Sequence, residues 1–158
     1  MREQDPRVPH EVEEYLVSLN AAAGALGGAI GAGSVGAASG GARGGARGGA
    51  RAARRLKTVV EERVAASPGD EDEVLHRVAA AFPKARELDR QDDLVRIAVP
   101  IGRTGLQHIV VDLVLRAAGG STDAPVTDVQ LRAYGKEGLL NRKPTAATAD
   151  TVVAAVNG

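Results

Sequence analysis

The glycine content of residues 24–49 constrains this chain more than any other feature. Twelve of the 26 positions from Gly24 to Gly49 are glycine. Each glycine inside a helix costs about 0.8–1 kcal/mol relative to alanine, so an isolated helix here would not persist in water. The segment therefore either becomes ordered by packing against a close neighbour or serves as a flexible linker.

The small residues of this segment recur at every fourth position. The stripe consists of Gly24, Gly28, Ala32, Gly36, Gly40, Gly44, Gly48 and Ala52. It resembles the glycine-zipper form of the small-xxx-small motif, in which helix backbones approach each other closely in lipid. The resemblance implies a helical segment that associates with other copies, a homo-oligomer, through Gly24, Gly28, Gly36, Gly40, Gly44 and Gly48.

Positive charge is concentrated in the same part of the chain. No acidic residue lies between Glu14 and Glu61, whereas six cations do: Arg43, Arg47, Arg51, Arg54, Arg55 and Lys57. We expect these six to contact anionic lipid or phosphate. Residues 15–42 carry no ionisable group except the Tyr15 hydroxyl, and a cationic run that follows such a stretch fits the positive-inside pattern. The expected location is cytoplasmic, with attachment to the inner face of the cell membrane.

Two further similarities favour nucleic acid as an alternative partner. The stretch "GGARGGARGG" is similar to RGG-type segments, which bind single strands by charge and by stacking on arginine. The predicted element order after residue 67, together with "GLQH" at residues 105–108, resembles the double-stranded-RNA-binding fold. Against both, no aromatic residue lies between Tyr15 and Phe82, and Pro144 interrupts the basic run before the last helix.

Hydrophobic periodicity predicts an α+β fold. An N-terminal helical Gly/Ala/Arg-rich segment is followed by an α-β-β-β-α domain with a three-stranded antiparallel sheet. We assign residues 1–66 to the first unit and residues 67–158 to the second. The predicted elements are a helix starting at Pro9, a helix over Ala53–Ala66, a helix from Asp70 to Pro83, strands in "LVRIAVPI", "HIVVDLVLR" and "VTDVQLRAY", and a helix starting at Pro144.

One face of this sheet is expected to be aliphatic and covered by two helices. The other face would be half polar, and two alternatives stay open for it: it meets the N-terminal helices, a second copy or a partner, or it is an ordinary solvated sheet face. The residues expected to lead that contact are Arg96, Arg116, Arg132 and Tyr134.

No pattern in the chain supports catalysis, a cofactor or a metal ion. The chain has no cysteine, which excludes disulfides and thiolate chemistry. "GAGSVG" at residues 31–36 fits G-x-G-x-x-G but lacks the flanking strand that gives this motif its function. The three histidines are scattered. We therefore expect a non-enzymatic protein, either membrane-associated or self-associating, or alternatively a soluble nucleic-acid-associated protein.

Overall fold

The computed structural model describes residues 6–102, 104–118, 125–137 and 143–158, without the side chains of Val35 and Gly36. The described elements are α1 (His10–Gly31), α2 (Val35–Arg55), β1 (Lys57–Pro68), α3 (Glu71–Ala81), β2 (Arg86–Gln91), β3 (Leu94–Ile101), β4 (Gln107–Ala117), β5 (Val126–Glu137) and α4 (Pro144–Asn157). The strands form one antiparallel sheet in the order β1-β5-β4-β3-β2. The α+β class is confirmed. The expectation of a three-stranded sheet is wrong, because the sheet has five strands.

The first additional strand is β1, in the stretch predicted to be a helix over Ala53–Ala66. The helix α2 ends at Arg55, and β1 pairs with β5 from Lys57↔Glu137 to Pro68↔Val126 without a shift in register. Three of its first four residues are β-branched, which favours a strand. Pairing with β5 therefore outweighs the helix-like spacing of four apolar residues on which the predicted helix rested. The strand crosses the predicted boundary between residues 66 and 67.

The second additional strand is β2, which no hydrophobic pattern marks. Leu88 is its only apolar residue, and the other five are polar or charged. It is held by pairing with β3, with a bulge between Glu87 and Asp89. The connection to β3 passes through Asp92 in the left-handed region (φ +44°), a conformation that aspartate tolerates better than most residues.

The predicted aliphatic face of the sheet is confirmed, and α3 and α4 cover it. The Asp70 side chain accepts a hydrogen bond of 2.9 Å from the Glu73 N–H and so caps α3. Pro144 occupies the first turn of α4, as expected. The principal buried side chains of this core are Val74, Val78, Val95, Ile97, Val99, Ile109, Val111, Leu113, Leu115, Val129, Leu131, Val152 and Val156.

The opposite face of the sheet is covered by the first turns of α1. Val12 and Leu16 are fully buried against Val110 and Tyr134. The sheet therefore lies between two helical layers, and α1 is the N-terminal element that meets the half-polar face.

A turn separates α1 from α2. Gly33 adopts φ +67°, a left-handed conformation that glycine accepts without steric cost and that commonly ends a helix. The Ser34 side chain then accepts a hydrogen bond of 3.3 Å from the Ala37 N–H and caps α2. The glycine-rich segment is therefore a helical hairpin, with its two helices packed on each other.

Candidate functional site

The two helices of the hairpin meet along a line of glycine, which we call the glycine seam. On α1 it consists of Gly24 and Gly28, and on α2 of Gly41, Gly45 and Gly49. A Cβ added at any of these five positions would overlap a backbone carbonyl oxygen of the other helix. The absence of side chains thus permits the backbones to touch. The close approach expected of a glycine zipper occurs here within one chain.

The side of α2 opposite the seam carries Arg43, Arg47 and Arg51, which we call the arginine edge. Successive helical residues are rotated by about 100°, so each arginine, two residues beyond a seam glycine, lies about 200° from it. All three side chains are exposed. Within the part of the chain that the structure describes, none of the three forms an ion pair. They follow one another at about 6 Å along the axis.

The remaining predicted cations continue from this edge toward the sheet. Arg54 and Arg55 lie in the last turn of α2, where positive charge is favoured by the helix dipole. Lys57 is the first residue of β1 and is exposed. The hairpin fold therefore keeps all six predicted cations on or directly after α2.

The glycines predicted to mediate self-association lie in two different environments. Gly24 and Gly28 are in the seam, whereas Gly40, Gly44 and Gly48 lie on the outer flank of α2, where an added Cβ would meet nothing within 4 Å. The turn at Gly33 is the reason, because it ends the single period-four stripe. The surroundings of Gly36 lie outside the described residues. Contact between copies through these glycines stays a prediction.

The outer side of α1 carries the exposed apolar residues of the hairpin. Leu26 and Ile30 are 53% and 75% exposed. Each lies two residues beyond a seam glycine and so points away from α2 and from the arginine edge. Among the described residues, no helix is long and apolar enough to cross a membrane.

Two carboxylates at the start of α1 anchor the hairpin to the sheet. Glu13 accepts hydrogen bonds from the ammonium group of Lys136 on β5 and, at 2.7 Å, from the Thr58 hydroxyl on β1. Glu11 accepts a hydrogen bond of 3.2 Å from Arg96 on β3. Arg96 and Lys136 are both buried. Glu11 and Glu13 are recognisable in the sequence as acidic residues of a first helical turn, but no local pattern indicates their partners Arg96 and Lys136.

On the sheet face that α1 partly covers, charged residues form a row across all five strands. In register order the row runs Asp89, Arg96, Asp112, Arg132 and Glu62, so the sign alternates at every step. Arg96 donates to Asp112 at 2.6 and 2.9 Å, and Arg132 lies 3.3 Å from Glu62. These hydrogen bonds to Asp112 raise the pKa of Arg96 above its ordinary value. We call this row the charge ladder.

The predicted interaction face is divided by α1. Arg96 and Tyr134 are buried beneath the helix and inaccessible to a partner, whereas the side chains of Arg116 and Arg132 are more than half exposed. Arg116 pairs with Asp93 at 2.9 Å. Half of the predicted face is thus occupied by the chain itself.

A groove of about 430 Å³ lies on the other side of the molecule, between α3 and the β2–β3 edge. Its floor is apolar, and its rim includes His76, Glu87 and Arg90. Arg90 already pairs with Glu87 at 3.0 Å. No group of three or more potential metal ligands is brought together in the described ranges. The groove therefore offers no converging polar set comparable to the arginine edge.

No protein-family model, curated protein or solved structure matches this chain.

Proposed function

We propose that the protein is a non-enzymatic nucleic-acid-binding protein whose helical hairpin contacts a phosphodiester backbone with its arginine edge. The observation that carries this proposal is the exposed row of Arg43, Arg47 and Arg51 on a helix without a neighbouring acidic residue. Arginine matches phosphate oxygens in charge and in the geometry of its donors. The contact reads charge and spacing, so we expect little dependence on base sequence.

The distribution of charge supports a contact confined to the hairpin. The formal net charge is zero, and the six cations of residues 43–57 have no acidic residue among them. The rest of the chain therefore carries a net charge of −6. A polyanion is attracted to the hairpin and repelled by the remainder of the molecule.

Two features favour a duplex backbone over a single strand or a membrane surface. The hairpin has no aromatic residue beyond Tyr15, so it offers no platform on which unpaired bases could stack. A helix that lies on a membrane presents apolar and basic residues to the same interface. Here Leu26 and Ile30 point away from the arginine edge. The apolar residues and the arginines therefore cannot face the same bilayer surface at once.

Salt-dependent binding to a labelled duplex DNA tests the proposal. Each phosphate neutralised lowers the logarithm of the binding constant with a slope of about −0.9 per logarithm of salt concentration. Replacing Arg43, Arg47 and Arg51 together by Gln should therefore flatten the slope by about 3. A matched control replaces three exposed arginines elsewhere, Arg86, Arg90 and Arg116, and should leave the slope unchanged.

Three outcomes would overturn the proposal. One is no binding to duplex DNA at low salt. Another is an equal loss in the hairpin and control variants, which would indicate a general effect of net charge. The third is binding to phosphatidylserine vesicles without affinity for the duplex, which would place the cations on a membrane surface instead.

A further inference from the structure

The outer edge of β1 is long, regular and unpaired. The strand runs for 12 residues, is paired with β5 on one side only, and contains no bulge. Within the described residues, no strand lies against its other side. The opposite edge of the sheet differs, because β2 has six residues and a bulge. Edge strands without such interruptions are templates for pairing with another chain.

The hydrogen bonds at the end of β1 identify which residues point outward. The Gly69 N–H donates to the Pro125 carbonyl at 2.8 Å, which extends the ladder between β1 and β5. Bonded and non-bonded pairs alternate in an antiparallel ladder, so odd-numbered residues of β1 face β5. The even-numbered residues therefore direct their backbone groups outward: Thr58, Val60, Glu62, Val64 and Ala66. Consistent with this, the Glu62 carbonyl accepts a hydrogen bond of 2.9 Å from the Arg63 side chain.

We propose that two copies of the chain pair through these outer edges of β1, antiparallel, into one continuous ten-stranded sheet. Only even-numbered residues of β1 have outward backbone groups, so even-numbered residues of one copy must pair with even-numbered residues of the other. The two-fold axis that relates the copies therefore passes through a residue and not between two residues. An axis at Glu62 places Arg63 opposite Glu61 of the second copy. The same axis places Val64, now 78% exposed, opposite Val60 of the second copy. Opposite charges and β-branched residues are favourable cross-strand pairs.

Neighbouring registers are unfavourable. An axis at Arg63 sets that arginine against its own copy and places Glu62 opposite Val64. An axis at Glu61 also sets two glutamates against each other, each with Arg63 of its own chain 3.1 Å away, but it is disfavoured because it places apolar Val60 opposite charged Glu62 at both symmetric positions. The axis at Glu62 also brings two glutamates together, but Arg132 of the same chain lies 3.3 Å from each Glu62 carboxylate and offsets the repulsion. The β1 sequence is thus complementary to itself in one central register.

Sedimentation analysis of the full chain tests this pairing with two variants at one position. Val64→Pro removes an outward N–H and leaves the bonds to β5 intact, because proline is tolerated on edge strands when its N–H would face solvent. Val64→Thr keeps the N–H and a β-branched side chain. We expect a dimer for the wild type and for Val64→Thr, and a monomer with unchanged circular dichroism for Val64→Pro.

A charge reversal provides a second test that does not depend on how proline is accommodated. Arg63→Glu places like charges opposite each other at two symmetric sites and should weaken the dimer by about tenfold or more. Adding Glu61→Arg restores both pairs and should restore most of the affinity. A monomeric wild type at high micromolar concentration overturns the proposal, as does a dimer that Val64→Pro leaves intact. A dimer lost in Gly44→Leu but retained in Val64→Pro would place the contact on the outer flank of α2 instead.

Discussion

Arg96 and Asp112 face each other directly across β3 and β4 and are joined by two hydrogen bonds, of 2.6 and 2.9 Å. Arg96 is 3% exposed, and Asp112 is buried beside it under α1. A buried charge without its partner is strongly destabilising, whereas a matched pair is roughly neutral. The pair therefore fixes the geometry of the centre of the sheet more than it adds stability.

Removal of one partner of this pair should be severe. Asp112→Ala leaves the Arg96 guanidinium buried without its two hydrogen bonds to Asp112, while its contacts with Glu11 and the Tyr15 ring remain, so we expect the free energy of unfolding to fall by about 3–5 kcal/mol. Asp93→Ala, which breaks the exposed pair with Arg116, should lower it by less than about 1 kcal/mol. Urea denaturation measures both values. Equal losses in the two variants would contradict the structural assignment of Arg96 and Asp112 to the buried layer.

Adjacent glycines of α2 should respond in opposite directions to alanine. Gly44→Ala adds a methyl group to open space and should stabilise the helix by up to about 1 kcal/mol. Gly45→Ala would force the new Cβ against the Gly24 carbonyl and separate the two helices. Hydrogen exchange of amides in α1 and α2 distinguishes the variants, with faster exchange expected only for Gly45→Ala. Faster exchange in both would mean that the helices do not pack along the glycine seam.

Adjacent glutamates at the start of α1 offer a similar comparison. Glu13→Gln weakens the contacts that hold α1 to buried Lys136 and to Thr58, and should destabilise the fold by about 1–3 kcal/mol. Glu14→Gln changes an exposed side chain that lies 3.9 Å from His10, and should have little effect. Chemical denaturation together with proteolysis near the N-terminus measures the difference. Increased cleavage in Glu14→Gln alone would show that α1 presents a different side to the sheet.

Tyr134 should make the fold sensitive to alkali. Burial raises the pKa of its hydroxyl from 10.0 to about 12. Between these values the unfolded chain loses the proton while the folded chain keeps it, so the free energy of unfolding falls as pH rises. The shift of about two pKa units corresponds to a loss of roughly 2 kcal/mol by pH 12. Denaturation across this range should show the decline in the wild type and a flatter profile in Tyr134→Phe. Phenolate absorbance of a Tyr15→Phe variant rising near pH 10 in the folded state would contradict the burial of Tyr134.

The elements that the sequence predicts well are those in which local pattern and packing agree. Strands β3, β4 and β5 each place aliphatic residues at every second position, and these residues are the core side chains expected of them. The helix α3 has its predicted cap at Asp70, and α4 begins at Pro144. For these elements the pattern of apolar residues on one face is enough to predict the secondary structure.

The sequence-based predictions were wrong for β1 and β2, where pairing between distant strands decides the structure. The spacing of Leu56, Val60 and Val64 suits a helix, and only the partnership with β5 makes that stretch a strand. The strand β2 has one apolar residue and exists because β3 offers an unpaired edge. Neither partnership is visible in a local window of sequence.

The turn between α1 and α2 differs from β1 and β2, because the residues that predict it are present in the local sequence. Gly33 and Ser34 are a common helix terminator and a common helix N-cap, in the order that ends one helix and starts the next. The continuous period-four stripe of small residues obscured them. This turn sets the environment of the glycines predicted to mediate self-association, because it determines which glycines of α2 face α1 and which face solvent.

The alternating charges beneath α1 also penalise a mispaired sheet during folding. A slip of one residue would turn every core side chain to the wrong face. A slip of two keeps the faces but would set Val110 or Val114, in place of Asp112, between Arg96 and Arg132. Such a shift of β4 would therefore deprive buried Arg96 of Asp112, which accepts its two hydrogen bonds, so a chain that pairs in the wrong register is electrostatically destabilised and returns more readily to the unpaired state.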